Sequence, residues 1–236
     1  MNNKSIVITG ASRGIGAALA FHLAGPGVNL ALVARSSSEL EEVVARCRER
    51  GARCQAFCGA VEDERLTQEV AEACAADFGG IDFLVNNAGF GVFKKADELS
   101  ADEWDAVFAA NVKGTFLFSR SVIPVMKSQR SGHIINIASD VARRVFDGGS
   151  LYCSSKFAQD AFSMALRKEV RPFGIKVSVV YSGLVDSMFH REPQGDVSHS
   201  DWLKVEDMAR AIAFVMDQPP HVVIDELMIH PLSQEY

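Results

Sequence analysis

The chain has 236 residues, of which 48% are hydrophobic and 23% charged, and its formal net charge is −6 at pH 7. This length and apolar fraction suit a single domain over residues 1–236, and the acidic balance argues against nucleic acid as a partner. The first strand signal follows Met1 almost directly and no apolar run reaches the roughly 18 residues of a membrane span, so we expect a cytoplasmic protein with no membrane partner.

Taken in chain order, short apolar runs alternate with longer runs whose apolar residues recur at helical spacing. Strands are predicted at residues 5–8, 28–33, 53–57, 83–86, 133–137, 176–181 and 227–230. Helices are predicted at residues 15–24, 39–50, 64–78, 102–129 and 152–170. This alternation predicts the α/β class, with a doubly wound, Rossmann-like parallel sheet of about seven strands flanked by helices on both faces.

The first predicted strand runs into a glycine-rich loop, Thr9-Gly10-Ala11-Ser12-Arg13-Gly14-Ile15-Gly16. Glycines permit a tight turn here, let the main chain approach a pyrophosphate and allow the next helix to direct its N–H groups at phosphates. The spacing differs from the Gly-x-Gly-x-x-Gly of two-domain dehydrogenases, so the dinucleotide interpretation depends on the rest of the chain. An ordinary glycine-rich turn is the alternative.

Five cysteines, an odd number, occur without paired Cys-x-x-Cys spacing. Neither a disulfide framework nor a zinc site is therefore predicted, and the chain offers no other metal-binding pattern. We expect reduced and mostly packed thiols at Cys47, Cys54, Cys58, Cys74 and Cys153.

Tyr152 is followed four residues later by Lys156, and Ser139 lies thirteen positions upstream. Residues i and i+4 share one face of a helix, so the lysine can lie beside the tyrosine. An ammonium group about 4 Å away contributes about 4 kcal/mol at an effective dielectric of about 20, which would lower the phenol pKa by roughly 3 from its usual value of about 10. The three side chains therefore predict a proton donor, its electrostatic activator and a hydrogen-bonding partner for a reacting oxygen.

These stretches, together with Asn86-Asn87-Ala88-Gly89 and Asn111, stand in the order and at the spacing of one known family. The chain resembles the short-chain dehydrogenase/reductase family over nearly its whole length. The resemblance implies a catalytic set of Asn111, Ser139, Tyr152 and Lys156, in which Asn111 holds a water that relays protons through Lys156. It also implies that residues 86–89 steady the sheet.

The same resemblance implies a nucleotide cofactor and its contacts. The glycine-loop contacts are Gly10, Ser12, Arg13, Gly14, Ile15 and Gly16. The adenosine side is contacted by Asn87, Ala88 and Gly89, and the nicotinamide side by Tyr152, Lys156, Gly183, Val185 and Ser187. Ser182 replaces the proline that commonly precedes the glycine at position 183, which removes one fixed φ angle from that turn.

The residues after the second strand bear on the choice of cofactor. An acidic residue about 20 positions past the glycine loop normally accepts from the ribose 2′-hydroxyl of NAD. By family alignment Ala34 takes that position, Arg35 follows it, and Arg13 lies within the glycine loop. Two guanidinium groups near one phosphate predict NADP(H), unless both arginines are solvated surface residues. On the adenine side Ala60 replaces the usual aspartate, and Asp63 could substitute only through a shifted loop.

A mostly apolar set of residues is predicted to line the substrate pocket, which favours apolar carbonyl compounds. The set is Gly91, Val92, Phe93, Val141, Phe146, Leu151, Met188, Phe189 and Trp202. Residues 187–204 have the composition of a mobile lid, within which His190 and His199 are interpreted as solvated. Arg143 and Arg144 either contact an anionic substrate or face solvent.

Two functions of different classes remain open. The first is an NADP(H)-dependent reductase of a mostly apolar ketone or 3-oxoacyl compound, and the second is a catalytically idle nucleotide sensor or scaffold. The complete catalytic set favours the enzyme, whereas the ending Met228-Ile229-His230-Pro231-Leu232 lacks the Asp-Gly-Gly of typical 3-oxoacyl-carrier-protein reductases. Aromatic residues in the helices after positions 102 and 152 predict a homodimer or homotetramer.

Overall fold

The computed structural model describes residues 3–189 and 193–235. Seven parallel strands form one sheet in the order β3-β2-β1-β4-β5-β6-β9. They are β1 (Lys4–Thr9), β2 (Val28–Ala34), β3 (Arg53–Cys58), β4 (Phe83–Asn86), β5 (Gly132–Ser139), β6 (Ile175–Ser182) and β9 (Glu226–Ile229). Two short strands, β7 (Val185–Asp186) and β8 (Leu203–Lys204), form a second sheet.

Helices cover both faces of the seven-stranded sheet. One face packs against α1 (Gly14–Leu23), α2 (Ser37–Glu49) and α7 (Val205–Met216). The other packs against α3 (Glu64–Asp77), α5 (Gly114–Gln129) and α6 (Ser150–Val170), with α4 (Ala101–Phe108) beside α6. Among the described residues, no helix has both the length and the apolar character needed to cross a membrane.

The strands are mostly apolar because both faces of the sheet are covered. All eight residues of β5 are buried, and Ile6, Val7 and Ile8 of β1 are completely so. The doubly wound parallel sheet is therefore confirmed, and each predicted strand agrees with the observed one to within two residues at either end.

The helix predicted over residues 102–129 is present but not regular, because a π turn over Ala109–Lys113 separates α4 from α5. The turn is closed by the N–H of Gly114, which donates to the carbonyl of Ala109. Its buried residue, Asn111, exchanges hydrogen bonds with the main chain of Phe90, a tertiary contact that hydrophobic periodicity does not encode.

The strand order reverses at β1, which pairs with β2 on one side and β4 on the other. Ligands of open parallel sheets bind at such a switch point, outside the carboxyl ends of the strands. The glycine loop after β1, the Asn86–Gly89 stretch, Ser139 at the end of β5 and the turn after β6 all lie at this edge.

Candidate active site

A cavity of about 860 Å³ lies at the carboxyl edge of the sheet. It is within the size range of small-molecule and cofactor sites. The predicted cofactor contacts that line it are Gly10, Ser12, Arg13, Gly14, Ile15, Arg35, Asn87, Ala88, Gly89, Tyr152, Lys156, Gly183, Val185 and Ser187. Gly16 and Asn111 lie behind its wall rather than in it.

The glycine loop is packed so closely that a side chain at Gly16 would not fit. A Cβ atom there would lie 2.3 Å from the carbonyl oxygen of Gly10, which itself has a φ of +65°. The helix α1 begins directly afterwards, and Arg13 before it is extended and provides no side-chain cap. The first N–H groups of α1 thus border the cavity without a side-chain acceptor, an arrangement that fits the phosphates of a dinucleotide.

The Asn86–Gly89 stretch is bonded to β1 and β5, which agrees with the steadying role that the family resemblance implies. Asn86 donates to the side chain of Asn136 at 2.9 Å. The amide group of Asn87 donates to the carbonyl oxygens of Thr9 at 3.0 Å and Gly10 at 3.2 Å. These bonds hold the glycine loop against β4.

Tyr152, Ser139 and Lys156 meet at one end of the cavity, and all three are buried. Burial raises the pKa of the Tyr152 phenol, and a hydrogen bond with the Ser139 side chain opposes that increase. Burial lowers the pKa of Lys156 to about 8. The expectation that the phenol pKa is lowered is therefore wrong, because the effect of burial prevails.

Lys156 donates instead to the carbonyl oxygen of Ile137 and to Oε1 of Gln159, both at 3.0 Å. Gln159 in turn donates to Thr115 at 3.0 Å, and Thr115 donates to the carbonyl oxygen of Asn111 at 2.8 Å. A chain of protein side chains therefore links Lys156 to Asn111. The side chain of Asn111 is itself held by Ser155 and the main chain of Phe90.

The wall above Tyr152 is aromatic. Phe93 lies edge-on to the Tyr152 ring with a centroid separation of 5.4 Å and also contacts Phe146 and Phe189. Of the residues predicted for the substrate pocket, those that line the cavity are Phe93, Val141, Phe146, Met188 and Phe189. The remaining predicted residues, Gly91, Val92, Leu151 and Trp202, do not line it.

Neither alternative given for Arg143 and Arg144 describes them fully, because both are held by side chains of the protein. Arg143 donates to the hydroxyl of Tyr181 at 2.8 Å and pairs with Glu226 at 2.9 Å. Arg144 borders the cavity, but both its Nε and Nη2 donate to Asp140, at 2.9 and 2.6 Å. A carboxylate already compensates its charge, which makes it a poor anion-binding residue.

His199 is not solvated, which corrects the interpretation of the lid. Its exposure is 2%, its Nδ1 lies 3.3 Å from Oδ1 of Asp186, and its ring stacks on Trp202 at a centroid distance of 3.8 Å. Lys204 also donates to Asp186, at 3.1 Å. His199 and Lys204 thus both compensate the buried carboxylate of Asp186. His190 lies outside the described residues.

The adenosine end of the cavity contains charges of both signs. Arg13, Arg35 and Ser36 line it, as does Glu39 in the first turn of α2. Asp63 does not replace the missing adenine acceptor, since its carboxylate caps α3 by accepting from the N–H of Arg65 at 2.9 Å. Glu62 and Val61 border the cavity there instead.

Four further residues at the site were not found from sequence, namely Asp140, Thr115, Gln159 and Gln234. Asp140 and Gln159 could have been suspected from their positions in the sequence. Asp140 directly follows Ser139, and Gln159 lies about one helical turn after Lys156. Gln234 had none, since its partner Asp140 is 94 positions away.

Comparison with known proteins gives one family and many similar structures. The family described as short chain dehydrogenase matches residues 4–196. An uncharacterized oxidoreductase of Staphylococcus saprophyticus is 35% identical over 98% of this chain and 99% of its own length. An alcohol dehydrogenase of Thermococcus sibiricus, complexed with 5-hydroxy-NADP, is 31% identical, with a TM-score of 0.92 over 99% of this chain and 98% of its own. An NAD⁺-bound xylitol dehydrogenase is 26% identical, with a TM-score of 0.87 over 98% of each chain.

Proposed function

The chain belongs to the short chain dehydrogenase family and is an oxidoreductase of that family, and we propose that it transfers a hydride between NADP(H) and a mostly apolar carbonyl or alcohol substrate. The observation that carries this proposal is the position of the Tyr152 phenol. It lies in the same cavity as the glycine loop, beside Ser139, and beneath the rings of Phe93 and Phe189.

In the reductive direction, Tyr152 is the proton donor and Ser139 the hydrogen-bond donor to the substrate oxygen. NADP(H), when bound, supplies the hydride. Negative charge then develops on the carbonyl oxygen, where a neutral phenol and a hydroxyl group stabilise it more strongly than the ground state. The raised pKa of Tyr152 keeps its proton in place at neutral pH.

Lys156 has the role of a buried amine whose charge can change near neutral pH, because its pKa is lowered to about 8. Its ammonium group is oriented by Ile137 and by Gln159, and the latter connects it through Thr115 to Asn111. Asn111 joins this chain through its main-chain carbonyl, and its role in relaying protons through a water remains a prediction.

The preference for NADP(H) is supported by Arg13 and Arg35, which line the adenosine end, and by Ala34, which has no carboxylate to repel a 2′-phosphate. Glu39 and Glu62 line the same end and weaken this preference, because two carboxylates offset the charge of the two arginines. The preference therefore depends on contact geometry, because a phosphate monoester forms charge-assisted, bidentate bonds with guanidinium groups.

The proposal is tested with a panel of aromatic ketones, vicinal diketones and 3-oxoacyl thioesters, each with NADPH and with NADH. Oxidation of the cofactor is followed by absorbance, and NADPH binding by fluorescence. We expect turnover of apolar ketones and diketones, faster with NADPH. If NADPH binds and no member of the panel is turned over, the second function, a catalytically idle nucleotide sensor, would be favoured over the enzyme.

A further inference from the structure

The segment after β9 reaches back to the cavity through Gln234. A turn, in which the N–H of Gln234 donates to the carbonyl of Pro231 at 3.1 Å, directs this side chain inward. Oε1 of Gln234 accepts from the main-chain N–H of Leu184 at 2.8 Å, and Nε2 donates to Oδ2 of Asp140 at 2.8 Å. One amide group therefore joins the segment after β5 to the segment after β6.

Asp140 transmits this contact to Ser139. It is 3% exposed, and its Oδ1 accepts from the hydroxyl of Ser139 at 3.1 Å while Oδ2 is shared by Arg144 and Gln234. The single proton of Ser139 points at Asp140 in this structure, and the hydroxyl donates to a substrate oxygen only after it rotates away, so the position of the carboxylate governs the direction of that proton. A displaced Asp140 would change that direction.

The packing around Gly183 leaves little freedom for Gln234. A Cβ atom at Gly183 would lie 2.2 Å from Oε1 of Gln234 and 2.6 Å from Cδ2 of His230. The glycine thus makes room for the end of the chain, which fills the space beside the turn after β6 rather than lying loosely on it.

We propose that Gln234 is a positioning residue of the active site, which holds Asp140 and the main chain of Leu184 at a fixed separation and thereby orients the hydroxyl of Ser139. The proposal rests on the proposed function, in which Ser139 donates to the substrate oxygen. It assigns a role in the reaction to the last residues of the chain, which lie outside the stretch that matches the family.

The sharpest test is Gln234→Glu, because it keeps an acceptor for Leu184 and replaces the donor to Asp140 by a second carboxylate. Two carboxylates side by side share a proton as the pH falls, and the protonated acid can again donate. The charged and titratable groups around the pair are Arg144, His230, Tyr152 and Cys153. They are present in both proteins, so each rate is expressed as a ratio to the unaltered protein at the same pH.

With the best carbonyl substrate of the panel, we expect kcat of Gln234→Glu to be about 10-fold lower at pH 8 and to recover to within about 3-fold at pH 6. Gln234→Ala should show the loss without the recovery, and Kd for NADPH should change less than about 3-fold in both. The matched control is Gln218→Glu, which alters a glutamine bonded to the carbonyl of Phe214 in α7 and should leave kcat unchanged.

A kcat ratio near one for Gln234→Glu at pH 8, or a loss that acidification does not reverse, would overturn the proposal while leaving the proposed function intact. An unaltered protein that turns over no carbonyl compound would refute the proposed function and the role of Gln234 with it. Thermal unfolding of each variant at both pH values separates a local effect from loss of the fold.

Discussion

Nζ of Lys156 lies 5.9 Å from the centroid of the Tyr152 ring and donates to Ile137 and Gln159. The two residues share one face of α6, as their spacing predicts, but the hydrogen bonds of the ammonium group go to other partners. Burial therefore dominates the titration of both groups, raising the pKa of Tyr152 and lowering that of Lys156. Tyr152 holds its proton at neutral pH, which is the state that a general acid requires.

Removal of the Tyr152 hydroxyl should abolish turnover while preserving the fold. General acid catalysis is typically worth about 10² to 10⁴ in rate, so Tyr152→Phe should lose at least that much kcat and still bind NADPH. The matched control is Tyr181→Phe, because Tyr181 is also buried but donates to Asp160 at 2.5 Å, outside the cavity wall. It should lower the free energy of unfolding by about 1–3 kcal/mol with little effect on kcat. A Tyr152→Phe protein with most of its activity would require a different proton donor.

The lowered pKa of Lys156 predicts how stability depends on pH. Its value of about 8 in the folded protein lies below the ordinary value of 10.5, so in this interval the unfolded chain binds a proton that the folded protein does not. The free energy of unfolding therefore rises with pH across this interval. From pH 7.5 to 9.5 it should rise by about 1–2 kcal/mol more in the unaltered protein than in Lys156→Met, as measured by urea denaturation. If the free energy of unfolding changes equally with pH in the two proteins, the pKa of Lys156 is not lowered.

Selection of the cofactor should depend on Arg35. At about 1.5–3 kcal/mol for a charge-assisted bond, Arg35→Ala should weaken NADPH binding by roughly 10- to 150-fold and leave NADH binding nearly unchanged. Glu39→Gln should strengthen NADPH binding, because it removes one of the two carboxylates at the same end of the cavity. Arg46→Ala is the control, since this arginine of α2 stacks on Phe21 at 3.9 Å and does not line the cavity. Equal dissociation constants for NADPH and NADH in the unaltered protein would exclude the preference.

Self-association should occur through α4, α5 and α6, which carry large exposed apolar side chains. These are Trp104, Phe116, Phe157 and Met164. Sedimentation at micromolar concentration should show a dimer or tetramer, and Phe116→Asp should shift it toward the monomer by burying a charge at the contact. Val197→Asp, at a position that is 86% exposed, is the control. If only a species near 25.6 kDa is found, the protein is a monomer and these side chains form no contact between subunits.

The sheet could be predicted from sequence because burial on both faces makes most of the strands predominantly apolar. The edge that holds the cavity followed from the same argument, since parallel strands bring their carboxyl ends together. Fourteen of the fifteen predicted cofactor contacts line the cavity for that reason. The exception, Gly16, packs against Gly10 on the side of the loop that faces away from the cavity.

The directions of individual side chains, and the groups to which they form hydrogen bonds, could not be predicted in the same way. The spacing of Tyr152 and Lys156 places them on one helix face but does not state where a four-carbon side chain points. Gln159 and the carbonyl of Ile137 decide that, and the latter belongs to a different element. The solvation of His199 was predicted wrongly because a polar segment usually faces solvent, whereas this one side chain is buried against Asp186.

The π turn over Ala109–Lys113 makes this part of the chain one residue longer than a regular helix of the same path would need. Hydrogen bonding from i to i+5 inserts one residue into an otherwise regular helix. Deletion of one residue there would leave α4 and α5 each facing the side it faces now, joined as an ordinary helix. What would be lost is the reach of Asn111 to Phe90 and Ser155. The helix could be built with one residue fewer, but the wall of the cavity could not.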